Sequence, residues 1–231
     1  MKIVRLTVII MGVTWGASVH AVPVSFDKLT GLTGGSIAET AVYRADLSSL
    51  SLTDILSITI QDNSSGLGGS PGQFSGFDLD AIILSDMLCA DATCAAGLTG
   101  ISVFDYSPAG TLFTEGTQRS PTDPKLFGTD ISGSNVDNII ATLGLFDGES
   151  STLTPDGFLS MGDNGLLSFN LTSAISTMGL YLYIGEVGDN GEVAAGSITV
   201  SDRPVNVPEP TTLALLSLSL IGLGIARRKK V

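Results

Sequence analysis

The sequence predicts an all-β protein, a single β-sandwich of jelly-roll type built from short strands and glycine-rich turns. Three observations lead there. In 55–62, Ile58 and Ile60 alternate with Ser57, Thr59 and Gln61, the two-residue period that sends apolar groups to one strand face and hydroxyls to the other. Turn residues interrupt such runs at short intervals, as in 63–72 and in the triplets Asp163-Asn164-Gly165 and Asp189-Asn190-Gly191. No helical heptad and no repeat of constant period competes with this pattern.

Taken in order, Lys2 and Arg5 precede an apolar stretch, 6–13, and Val19-His20-Ala21 offers small residues where a signal peptidase reads. Residues 1–21 therefore read as a secretory signal peptide cut after Ala21. The body, 22–201, follows with strands expected at 22–27, 37–43, 55–62 and 77–84. In the last of these, Phe77, Leu79 and Ala81 fall on one side and Asp78 and Asp80 on the other, while Ile82-Ile83 implies that the strand end is covered on both faces. Cys89 and Cys94 come next. Two cysteines this close in an exported chain form one disulfide, because the compartment is oxidising and no third Cys competes. Further strands are expected at 101–106, 111–115, 138–146, 166–171, 178–187 and 196–201, with both Asp-Asn-Gly triplets read as hairpin turns. Residues 202–207 read as a linker.

The next stretch has three chemically distinct parts. Pro208-Glu209-Pro210 leads, an uncharged Leu-rich run occupies 211–226, and Arg227, Arg228, Lys229 and Lys230 stop it. The run is about sixteen residues, enough to cross a thin bilayer when its flanks contribute. Four adjacent cations stay on the cytoplasmic side, since moving them through hydrocarbon is costly, so everything before 207 lies outside. Pro208 and Pro210 cannot join a helix interior and keep the motif extended beside the membrane. An uncut membrane anchor is the plainer reading of the same residues. Together they resemble the PEP-CTERM sorting signal of Gram-negative bacteria. The resemblance implies recognition by an exosortase, a membrane-embedded Cys-dependent processing enzyme, and a link to exopolysaccharide and biofilm matrix. It also implies a precursor held in the inner membrane and a mature form at the cell surface or beyond.

Charge narrows what the body can do. Of 23 Asp and Glu only Glu209 lies outside 22–207, whereas of 11 Lys and Arg only Lys28, Arg44, Arg119, Lys125 and Arg203 lie inside that span. Such an acidic surface repels phosphate backbones and makes nucleic acid an unsuitable partner. The one His (His20) and the one Trp (Trp15) lie in the signal peptide. Gly68-Gly69-Ser70-Pro71-Gly72 matches the nucleophile elbow G-x-S-x-G, but no His remains to activate Ser70, and Pro71 lacks the N–H that an oxyanion hole requires there.

Three roles survive. A non-catalytic structural or interaction protein is the expected one. A calcium- or carbohydrate-binding module is the second; Asp78, Asp80, Asp163, Asp189 and Glu192, with Asn164 and Asn190, are the calcium candidates, since that cation wants six to eight oxygens. A glycoside hydrolase using Asp78 and Asp80 is the third, disfavoured because sugar clefts are aromatic and the body has no Trp. Carboxylates on a solvated strand face are the simpler account of that pair.

Overall fold

Residues 21–149, 157–192 and 198–205 are described in the computed structural model. They form two five-stranded antiparallel sheets with little helix. The first sheet runs in the order β1 (Ala21–Val24), β10 (Ile198–Ser201), β4 (Ile55–Gln61), β8 (Leu166–Ile175), β6 (Thr111–Thr114). The second runs β2 (Asp27–Thr33), β3 (Thr40–Asp46), β9 (Tyr181–Val187), β5 (Asp78–Ser85), β7 (Leu159–Ser160). Two short helices, α1 (Ala92–Ala96) and α2 (Asn138–Ala141), lie in the connections.

Alternation explains how the sheets share a core. Ile58, Ile60, Leu167 and Phe169 of the first sheet and Leu79, Ile82, Leu182 and Ile184 of the second are fully buried in one apolar cluster. Intervening residues of the second sheet turn outward, and there Val42, Ala81, Ile83 and Tyr183 bury against Leu29, Phe146 and the disulfide loop. β5 and the end of β9 are thus covered on both sides, which is why 82–83 reads as a continuous apolar pair.

Two details of β5 differ from the sequence expectation. Its ladder with β9 shifts register between Leu79 and Ile82, so Ala81 joins the outer cluster and not the face of Phe77 and Leu79. Asp78 and Asp80 are not solvated: every residue of the strand is buried.

Local polar chemistry overrides two expected strands. Over 101–106 only Phe104 bridges, to Leu171, and Asp105 turns the chain by accepting from Ser107 N at 2.9 Å. Over 138–146 the chain forms α2 and a turn, because Asp137 caps Ile139 N at 3.1 Å and the Asn138 side chain accepts from Leu143 N at 2.9 Å. The expected 22–27 strand divides, β1 pairing in one sheet and β2 starting in the other. The Asp-Asn-Gly triplets turn the chain, with φ of 65° at Asn164 and 44° at Asp189. Neither closes a hairpin, because β7 and β8, like β9 and β10, lie in different sheets.

The Cys89–Cys94 disulfide forms as expected, with Cα atoms 5.4 Å apart. Its loop is also held without it. The Tyr183 hydroxyl accepts from Cys89 N at 2.8 Å and donates to Met87 O at 2.7 Å, and Arg44 donates to Cys89 O at 2.8 Å. The double replacement Cys89→Ser, Cys94→Ser is expected to cost about 2 kcal/mol, the closure entropy of a short loop, and to lower the melting temperature by several degrees without unfolding the protein.

Candidate functional site

β4, β6 and β9 finish, and β5 and β8 begin, at the same end of the two sheets, and the loops there close over a buried polar cluster. Asp62, just past β4, is its scaffold. Its carboxylate accepts from Ser64 N at 3.2 Å, Phe77 N at 2.8 Å and Asn164 N at 2.8 Å, tying three segments together. Arg119 is its cation. The guanidinium donates to Gly68 O and to Glu192 Oε1 at 2.9 Å, and its Nε lies 3.5 Å from Asp163 Oδ1. Glu192 is completely buried as a side chain. The loop can settle on it because Gly69, at φ 53°, has no side chain: a Cβ there would overlap the Glu192 carboxylate.

Two more acids lie deeper. Asp78 is buried and accepts from the Ser160 hydroxyl across the β5–β7 pair. Glu186 follows Leu182 and Ile184 on the inward register of β9; it is fully buried, and neither carboxylate oxygen has a hydrogen-bond partner. Asp163 and Glu192 contact Arg119 and Asp78 feels its charge, while Glu186 lies within electrostatic reach of Glu192 and of Lys28, and Asp62 within reach of Glu192.

Burial without matching positive charge favours the protonated acid. Loss of solvent, followed by the Glu192 and Asp189 charges, pushes Glu186 up from 4.5 to about 8. Glu192 rises to about 7, again chiefly by burial, although Arg119 pulls it down. Asp78 is pushed well above the carboxylate range by burial and then by Glu192. Tyr43, which packs on the core nearby, is raised to about 12 by burial and then by the Glu186 charge. Burial thus favours the protonated form of Asp78, Glu186 and Glu192.

The structure brings three of the five calcium candidates together and leaves two apart. Asp78 and Glu192 belong to the cluster, and Asp163 joins it through Arg119. Asp80 lies elsewhere, taking hydrogen bonds from the Thr40 hydroxyl and from Gly148 N at 3.2 Å; burial raises it to about 8. Asp189 is at the partly exposed rim, paired with Lys28. Among the described residues no group of three or more His, Cys, Asp or Glu has an arrangement that holds a metal ion.

Sequence reasoning missed Asp62, Arg119 and Glu186. Two of these had a legible signal: Arg119 is one of five bases in 22–207, and Glu186 is a carboxylate in an otherwise uncharged strand. A separate surface cavity of about 440 Å³ is lined by Tyr106, Pro108, Asp130, Val136, Asp137 and Ile139.

The sorting residues Pro208, Glu209 and Pro210, the basic stop Arg227, Arg228, Lys229 and Lys230, and residues 1–20 of the expected signal peptide lie outside the described residues. Among those that are described, no helix is long and apolar enough to cross a membrane. The structure does describe the approach to the motif. Arg203 O accepts from Ser57 Oγ at 2.6 Å, and Val205 is held by the Asn170 side chain. No curated protein and no solved structure matches the chain. A family model described as the PEP-CTERM protein-sorting motif matches residues 206–230, which contain the Pro-Glu-Pro triplet, the apolar run and the basic stop, so this is a PEP-CTERM domain-containing protein, exported and sorted by an exosortase.

Proposed function

We propose that the protein is a non-catalytic component of the cell surface or extracellular matrix, associated with exopolysaccharide. It is made as a precursor whose signal peptide, 1–21, is removed by signal peptidase and whose tail is processed by exosortase. The sorting motif at 206–230 carries this reading. What supports the absence of catalysis is the state of the acids. Asp78 and Asp80, the pair a glycoside hydrolase would need, are buried and engaged by the Ser160 and Thr40 hydroxyls. Tyr106 is the aromatic residue lining the surface cavity, and its ring packs on Phe104 and Phe169.

The jelly-roll reading of the sheets rests on strand order. β1-β10-β4-β8 forms one layer and β3-β9-β5-β7 the other, with successive strands β3, β4, β5 and β8, β9, β10 crossing between them. That alternation is how two Greek keys wrap a single core.

Replacing Pro208-Glu209-Pro210 by three alanines tests the sorting reading. Export and folding are expected to persist while the uncut precursor accumulates in the membrane fraction, read by immunoblot. Normal processing of that variant would overturn it.

A further inference from the structure

The chain that leads into the sorting motif is bound to the body almost up to the motif itself. β10 lies between β1 and β4, with Ala21 opposite Ser201 on one side and Ser57 opposite Ser201 on the other. Beyond it, Arg203 N donates to Ser201 Oγ at 3.2 Å and Arg203 O accepts from Ser57 Oγ at 2.6 Å. Asn170, on β8, then grips Val205 twice. Its Nδ2 donates to Val205 O at 3.1 Å and its Oδ1 accepts from Val205 N at 2.7 Å. A planar amide carries a donor and an acceptor side by side, so this side chain stands in for the backbone of a neighbouring strand.

Pro208 is three residues beyond Val205. Three extended residues span at most about 10 Å. A folded body of this size has a radius of gyration of roughly 16 Å, larger than that reach. With Val205 gripped, a membrane-embedded enzyme that reads Pro208-Glu209-Pro210 works in contact with the body.

We propose that the Asn170–Val205 clamp is a brake on C-terminal processing: the body keeps the segment ahead of the motif to itself, and the enzyme gains it only when the clamp opens. The inference rests on the sorting reading above. The expected N-terminal cut, after Ala21, falls beside Ser201, at the end of the strand that leads into the clamped segment.

The test follows the full-length precursor by pulse-chase in a host that processes it. Asn170→Ala removes both contacts to Val205, and a Gly-Ser-Gly-Ser insertion between Val205 and Asn206 adds slack while leaving every contact of the body in place. Asn170→Ala is expected to shorten the precursor half-life about five-fold, the factor that accompanies loss of a net hydrogen bond or two, and the insertion, which bypasses the clamp without opening it, is expected to shorten it as well. Asn170→Asp keeps the acceptor for Val205 N and loses the donor, and should fall between. If the insertion is processed at the wild-type rate or more slowly, the clamp is not a brake, whatever Asn170→Ala does to folding. The three-alanine motif variant is run alongside: its normal processing would sink the sorting reading, whereas its arrest with no response to the insertion sinks only the clamp.

Discussion

The melting temperature of the protein is expected to fall steadily as pH rises from about 5 to about 8, contrary to the usual behaviour of acidic proteins whose carboxylates are salt-bridged. Glu186 and Asp80 are raised to about 8, Glu192 to about 7, and Asp78 well above its ordinary value, in each case first by burial. The sign follows directly. In the unfolded chain these groups release their protons near pH 4, whereas the folded chain retains them. Their stabilising protons are all present in both states below that pH, and the folded state loses ground as pH climbs through the window up to the folded values. A shift of several units across partly coupled groups amounts to several kcal/mol, on the order of 10 °C in melting temperature. Asp130 acts in the opposite sense at low pH, since hydrogen bonds from Asn135 and Ser132 hold it down to about 2 despite some desolvation. Maximum stability therefore falls at about pH 4–5. Glu186→Gln should flatten the profile, because a neutral side chain of the same shape replaces a carboxyl whose oxygens have no partner to lose. A wild-type profile that rises towards pH 8 would refute the protonated state of these buried acids.

Removing the guanidinium is the second large effect. Arg119→Met leaves Glu192 and Asp163 buried without their cation and frees Gly68 O, at an expected cost of about 3–5 kcal/mol. In a protein of this size that is again on the order of 10 °C. Arg119→Lys keeps the charge but not the fork that reaches Glu192 and Gly68 together, and should recover only part of it. The two predictions are linked: a protonated Glu192 misses Arg119 less, so the Arg119→Met penalty should be larger at pH 8 than at pH 5. In a double-mutant cycle with Glu192→Gln, a coupling energy near zero would mean that the pair contributes nothing.

What was readable in advance follows the range of the interaction. The alternation of Ile58 and Ile60 places a strand because period two is a property of five or six neighbours. The Cys89–Cys94 bridge and the sorting motif are equally local, each a short pattern whose chemistry is complete within itself. The misread stretches failed for a local reason as well. At 138–146 the apolar spacing suggested a strand, but Asp137 and Asn138 offered the backbone closer partners, and Ile139 ends almost wholly exposed.

Asp78 shows where sequence stops. A carboxylate alternating with Phe77 and Leu79 looks like the wet side of a strand, and whether a second layer covers that side depends on residues far away in the chain. β7 supplies Ser160, the loop after β9 supplies Glu192, and Arg119 arrives from beyond β6. The address of this protein is written in consecutive residues, and so is most of its β character. The buried acid cluster and the clamp on Val205 were decided only by tertiary structure, because burial and pairing are set by segments that meet across 35 to 102 residues, and no local pattern encodes which of them will meet.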